Sequence, residues 1–173
     1  MISRLVRFFV AFVVAFLTAC GSDDATGPGS GSFTATVSGD VNASLSGNAV
    51  FGVGLYIGSD SGWSIWLLEG SFFSDYDFIT IDRSSSAAPG VGAFTIIGRS
   101  GAGPDDFVAK FEHALEEGSN IEITGYTSVS GSLTITSATA DQIEGSFSFT
   151  GSGPGPGQTV TVQGSFSAKP GPF

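Results

Sequence analysis

Gly131 to Phe166 reads GSLTITSATADQIEGSFSFTGSGPGPGQTVTVQGSF, and its alternation of apolar with small polar residues decides the fold class. Leu133 and Ile135 alternate with Ser132, Thr134 and Thr136. Ile143, Gly145, Phe147 and Phe149 alternate with Glu144, Ser146, Ser148 and Thr150; Val160, Val162, Phe166 and Ala168 fall among Thr161, Gln163, Ser165 and Ser167. A period of two puts one set on each face of a half-buried strand. With Ile121 to Tyr126 added, the segment predicts a four-strand antiparallel meander joined by short turns and by the Gly/Pro loop Gly151 to Gly157. A slip of one residue would turn Phe147 and Phe149 into water, so the register is firmly specified. The Ser and Thr set suits a solvated sheet face.

The same period continues toward the N-terminus. Phe33, Ala35 and Val37 alternate with Thr34 and Thr36, and Val41, Ala43 and Leu45 with Asn42, Ser44 and Ser46. Phe51, Val53, Leu55 and Ile57 share one face of a further strand, whose other face holds Gly52, Gly54 and Tyr56. Gly58 to Gly62 is a turn cluster, and Trp63 to Leu68 is apolar on both faces, as in a central strand. Ser71 to Asp77 reads as a loop with aromatic anchors, Phe78 to Ile81 as a strand and Arg83 to Gly92 as a polar connection. Phe94 to Ile97 and Phe107 to Phe111 are further strands. Glu112 to Glu117 has helix-like composition but is too short to hold a helix and reads as a broad turn.

About ten short strands with no long helix predict an all-β domain. An antiparallel β-sandwich is the favoured architecture, because strands such as Trp63 to Leu68 expect cover on both faces; a flattened calycin-like β-barrel is the alternative. Gly-Ser-Phe recurs at Gly31, Gly70, Gly145 and Gly164, with Gly-Ser-Leu at Gly131. The intervals are unequal, which excludes a solenoid and leaves these triplets as strand-opening wording. A G-x-hydrophobic-T-I-T strand, a G-x-F-x-F strand and a final G-x-F strand also make this C-terminal stretch resemble a family of uncharacterised bacterial lipoprotein domains. That resemblance covers roughly the last forty residues and implies no activity.

The first twenty residues, MISRLVRFFVAFVVAFLTAC, have the parts of a secretory signal: basic Arg4 and Arg7, the apolar run Phe8 to Leu17, and small residues before Cys20. The apolar run is about half of the roughly 20 residues that cross a bilayer. Leu17-Thr18-Ala19-Cys20 resembles the lipobox of bacterial lipoproteins. The resemblance implies cleavage before Cys20, a diacylglycerol on its thiol and an acyl chain such as palmitate on the new amino terminus, and therefore lipoprotein processing and sorting machinery as partners. Two or more acyl chains anchor stably where one is marginal. Cys20 is also the only cysteine, so a disulfide framework is excluded.

Three segments follow: a signal peptide over 1–19, the lipidated Cys20 with a flexible Gly/Ser/Asp tether over 20–31, and one all-β domain over 32–173. Such a tether spans roughly 15 to 20 Å. Gly21 after the cysteine points to the outer membrane, and Ser22-Asp23-Asp24 resembles surface-sorting tags. Without the signal the chain keeps four basic residues against 16 acidic ones. That field repels nucleic acid.

The domain offers little catalytic chemistry. His113 is the single histidine, no Gly-x-Ser-x-Gly elbow occurs, and the serines are accounted for by strand faces, so a hydrolytic triad and a transition-metal site are both disfavoured. A solvated surface histidine is the ordinary reading. Asp75 and Asp77, with Asp105 and Asp106, are the carboxylates to weigh for calcium or glycoside chemistry, although no D-x-D-x-D-G loop is present and turn capping on an anionic surface is the ordinary reading, so no metal is expected. Tyr56, Trp63, Trp66, Phe72, Phe73 and Tyr76 crowd one stretch; Tyr56, Trp66 and Tyr76 are the ligand-facing candidates if these are not simply core. The expectation is a non-enzymatic envelope lipoprotein with a structural, adhesive or assembly role and no cofactor beyond its covalent lipid. The alternative is a small-ligand or glycan-binding domain using the aromatic segment.

Overall fold

The computed structural model describes residues 30–53, 62–117 and 120–171. The lipobox with Cys20, nearly all of the tether, and Tyr56 lie outside the described residues. Among the described residues nine strands run in order: β1 (Gly31–Gly39), β2 (Ala43–Val53), β3 (Trp63–Gly70), β4 (Tyr76–Arg83), β5 (Gly92–Ile97), β6 (Val108–Glu117), β7 (Asn120–Ala138), β8 (Ile143–Ser152) and β9 (Thr159–Pro170). A 3₁₀ turn, Arg99–Gly101, follows β5.

The fold is all-β, as the period of two requires, but it is the barrel and not the favoured sandwich. β1, β2, β3, β4, β6, β7, β8 and β9 each pair antiparallel with the next, and β9 returns to β1, which closes the ring. Starting at Ser32, one path of paired residues runs through Asn48, Leu68, Phe78 and Glu112 to Gly125 on β7. The opposite path, through Ser167 and Glu144, reaches β7 at Ser137, 12 residues further along. This stagger means strongly tilted strands. It also explains why β7 is 19 residues long and unites two segments that the sequence separates. Its first half pairs with β6 and its second with β8 and the extra strand β5, with register irregularities at Ser128/Ser130 and Ile135/Ser137.

Glu112 to Glu117 is likewise strand: pairing with β7 as far as Glu117–Asn120 overrides the local helix-like composition. Trp63, Ile65 and Leu67 point into the barrel, while Trp66 and Leu68 point outward. The cover that the outward set needs comes from Tyr76, Phe78 and Ala114 on the neighbouring strands, so no second sheet is required.

The barrel interior is packed. Trp63, Phe107, Phe111, Phe149, Ile65, Leu67, Ile79, Ile81, Leu133 and Ile135 are fully buried within one cluster that spans every strand of the ring. The Gly-Ser-Phe triplets make this packing work. Those of β8 and β9 lie opposite each other in reverse, with Gly145 facing Phe166, Ser146 facing Ser165 and Phe147 facing Gly164. Each inward glycine receives the ring of its partner: a Cβ at Gly145 would stand 2.9 Å from Phe166 Cζ, and one at Gly164 would stand 2.9 Å from Phe147 Cζ. Gly131 pairs with Phe149, whose Cβ would stand 2.7 Å from a Cβ at position 131, and Gly47 pairs with Phe33. The triplets at Gly131, Gly145 and Gly164 are therefore mid-strand packing devices rather than strand openers, whereas that at Gly31 opens β1 and that at Gly70 ends β3. Gly70, at φ 81°, closes β3 in a conformation that residues with a Cβ rarely adopt.

Because neighbours in the ring alternate in direction, the β1–β2, β3–β4, β6–β7 and β8–β9 connections share one end of the barrel. Ser30, where the described chain begins, lies at the other end with Pro170 of β9.

Candidate functional site

The outward face of β3, β4 and β6 gathers the chemistry. Its lower half is aromatic. Trp66 meets Phe78 edge-to-face at 5.2 Å, and Phe72 from the β3–β4 loop meets Tyr76 at 5.0 Å and Phe78 at 5.4 Å. Two of the sequence candidates, Trp66 and Tyr76, thus belong to one small cluster on the outer wall. Tyr76 is buried there, and burial with the nearby Glu112 charge pushes its hydroxyl above the usual range. The third, Tyr56, lies outside the described residues.

The upper half is polar and its key residues were not singled out from the sequence. Phe78, Thr80, Asp82, Arg99, Lys110, Glu112 and Thr127 line a cleft of about 240 Å³. β4 supplies Phe78, Thr80 and Asp82 from alternate positions, and β6 supplies Lys110 and Glu112, which form an ion pair. Asp82 is only 7% exposed, and its Oδ1 has no hydrogen-bond partner. Burial raises its carboxyl to about 6; the hydroxyls of Ser64 and Thr80 and the positive charges of Arg99 and Lys110 pull in the opposite direction. Cross-strand from Asp82 stands Ser64, whose side chain is buried, and Trp66 Nε1 two residues on is buried without a hydrogen-bond partner. The available signal was a carboxylate in the apolar run Phe78 to Ile81–Asp82, one strand period beyond Thr80.

The carboxylates weighed for calcium are held separately. Asp75 Oδ1 accepts the Glu116 backbone N–H at 2.6 Å, tying the β3–β4 loop to the β6–β7 hairpin. Asp77 Oδ1 lies 2.8 Å from His113 Nδ1. His113 is accordingly not a solvated surface residue: it is half-buried, paired to Asp77 and stacked beside Phe111 at 6.3 Å. Asp106 Oδ2 accepts the Gly103 N–H at 2.9 Å, a turn-capping role. Among the described residues no group of three or more His, Cys, Asp or Glu side chains is arranged to hold a metal ion.

At the end of the barrel near Ser30, Arg83 is buried with its guanidinium 5.4 Å from the Phe107 ring, and Nη2 donates to the Ala87 carbonyl. Arg83 thus covers the core at that end, where the sequence suggested only a polar connection. No protein-family model, no curated protein and no solved structure matches the chain.

Proposed function

We propose that this protein is a membrane-anchored bacterial envelope lipoprotein, acylated at Cys20 and held at the outer membrane, whose barrel works by contact rather than catalysis. The observation that carries the reading is the filled barrel interior, which turns the domain's working surfaces outward. The Leu17-Thr18-Ala19-Cys20 motif and the polar stretch that follows supply the anchor and the leash. Labelled palmitate tests the anchor: it is expected to enter the wild-type chain and to be absent from Cys20→Ser, which should also leave the membrane fraction. Label retained in the Ser variant would overturn it.

A second reading is favoured by one observation, the cleft in which Asp82, Thr80 and Thr127 stand beside Phe78. Two cations and two carboxylates there balance, so an ion gains little, whereas a saccharide unit offers hydroxyls to Asp82, Thr80 and Thr127 and an apolar face to Phe78. Amide shifts of Thr80, Lys110 and Thr127 on titration with glucose, galactose or N-acetylglucosamine, lost in Asp82→Asn, are expected. Unmoved amides with all three sugars would remove this reading.

A further inference from the structure

The end of the barrel opposite Ser30 carries a surface that the packed core does not need. Phe73 of the β3–β4 loop is 92% exposed, Phe72 44%, and Ile121 and Ile123 of the β6–β7 hairpin 37% and 53%. These residues are contiguous through the wall: Phe72 packs on Tyr76, Tyr76 pairs across strands with Ala114, and Ala114 with Ile123. The β6–β7 pairing continues to Glu117 with Asn120, beyond the last β4–β6 pair, Tyr76 with Ala114. The bond from the Glu116 N–H to Asp75 fixes loop and hairpin relative to each other, so the patch is organised in advance of any partner.

Its rim has one sign of charge. Asp75, on the same loop as Phe72 and Phe73, and Glu116, Glu117 and Glu122, on the same hairpin as Ile121 and Ile123, are all exposed. The four basic residues downstream of the first twenty stand elsewhere: Arg83 and Lys169 at the far end, Arg99 beyond β5, and Lys110 within β6. A second copy would bring the same acidic rim against itself, and an anionic lipid surface would be repelled. An apolar patch ringed by carboxylates matches a protein surface with Lys or Arg around an apolar pocket.

We propose that Phe72, Phe73, Ile121 and Ile123 form a docking surface for a basic protein partner, presented away from the end at which the tether joins the barrel. The orientation rests on the lipoprotein reading; the surface itself does not. The test places the photo-crosslinker p-benzoylphenylalanine at position 73 of the full chain in living cells, with position 34 on the Ser/Thr face as control. The expected result is an adduct from position 73 with one protein. In purified form its affinity should fall about 30-fold for Phe72→Ser/Phe73→Ser and about tenfold from low to high salt. An adduct with a second copy or with lipid, no adduct above the control, or a partner indifferent to the two phenylalanines or to salt would each overturn the proposal. Palmitate labelling reports the anchor alone and crosslinking the surface alone, so either reading can fail without the other.

Discussion

Replacing Gly145 by Ala is expected to cost the barrel about 2 kcal/mol, and the reason lies in how two identical triplets meet. A Cβ at position 145 would stand 2.3 Å from the Thr134 carbonyl oxygen of β7 and 2.9 Å from Phe166 Cζ of β9. The first neighbour is backbone in the middle of a closed sheet and cannot retreat without moving β7; the second is a ring already packed in the core. Overpacking of this kind costs about 1 to 3 kcal/mol, against a gain of about 0.4 to 1 kcal/mol from the stiffer unfolded chain. For a domain of this size about 2 kcal/mol lowers the thermal midpoint by roughly 7 °C. The assay is reversible thermal or urea unfolding followed by far-ultraviolet circular dichroism, with Gly101→Ala as control, where a Cβ meets nothing within 4 Å and the change should stay within about 0.5 kcal/mol. Phe166→Leu, which removes the atom in conflict, should cost less in the Gly145→Ala background than in wild type, a coupling of at least about 0.5 kcal/mol. A Gly145→Ala variant as stable as the Gly101→Ala control, or a coupling of zero, would refute the reciprocal glycine–phenylalanine packing.

The raised Asp82 carboxyl, near 6 when folded against 3.8 ordinarily, means that the folded state holds this proton more tightly than the unfolded chain. Stability should therefore decline as pH rises from about 4 to 6, by up to about 3 kcal/mol, and Asp82→Asn should remove that decline and be the more stable protein at pH 7. Urea midpoints measured from pH 4 to 8 decide it; an Asn variant no more stable than wild type at pH 7 would count against a buried, poorly paired carboxylate. Trp63 is 1% exposed inside the barrel and Trp66 half-buried outside it. Trp66→Phe should therefore leave a blue, acrylamide-resistant emission, Trp63→Phe a redder and more quenchable one, and the reverse order would contradict the facing of β3. Phe107→Ala should destabilise by about 3 to 5 kcal/mol, because its ring fills the core against Trp63 and under Arg83, and a loss below about 1 kcal/mol in urea unfolding would mean that this end of the core is loosely packed.

The strands themselves were legible because side-chain alternation is local: Phe33 to Val37, Phe147 to Phe149 and Val160 to Ala168 face as their period dictates. Where the period is blurred, local composition and observed structure part. Glu112 to Glu117 has helix-like composition, and only its partners on β4 and β7 make it strand. The candidate site was half legible. Trp66 and Tyr76 do share a cluster, since Phe78 meets Trp66 on one side and Phe72, which packs on Tyr76, on the other. Asp82 is not legible as a site residue in the sequence because its cleft is completed by Lys110 and Glu112 of β6 and Arg99 of the turn after β5, far away along the chain.

By itself, then, the sequence determined the all-β class, the register of the C-terminal strands, the absence of disulfides and the acidic charge, all of which follow from residue identity and nearest neighbours. Only the tertiary structure decided between sandwich and barrel, because closure is a hydrogen-bonded pairing of β1 with β9 at the two ends of the domain, and an alternating pattern is the same whether a strand's edge finds a partner or water. It likewise decided what the repeated Gly-Ser-Phe words do, for a glycine in a strand is a cost until the ring that fills its space is brought opposite by the register.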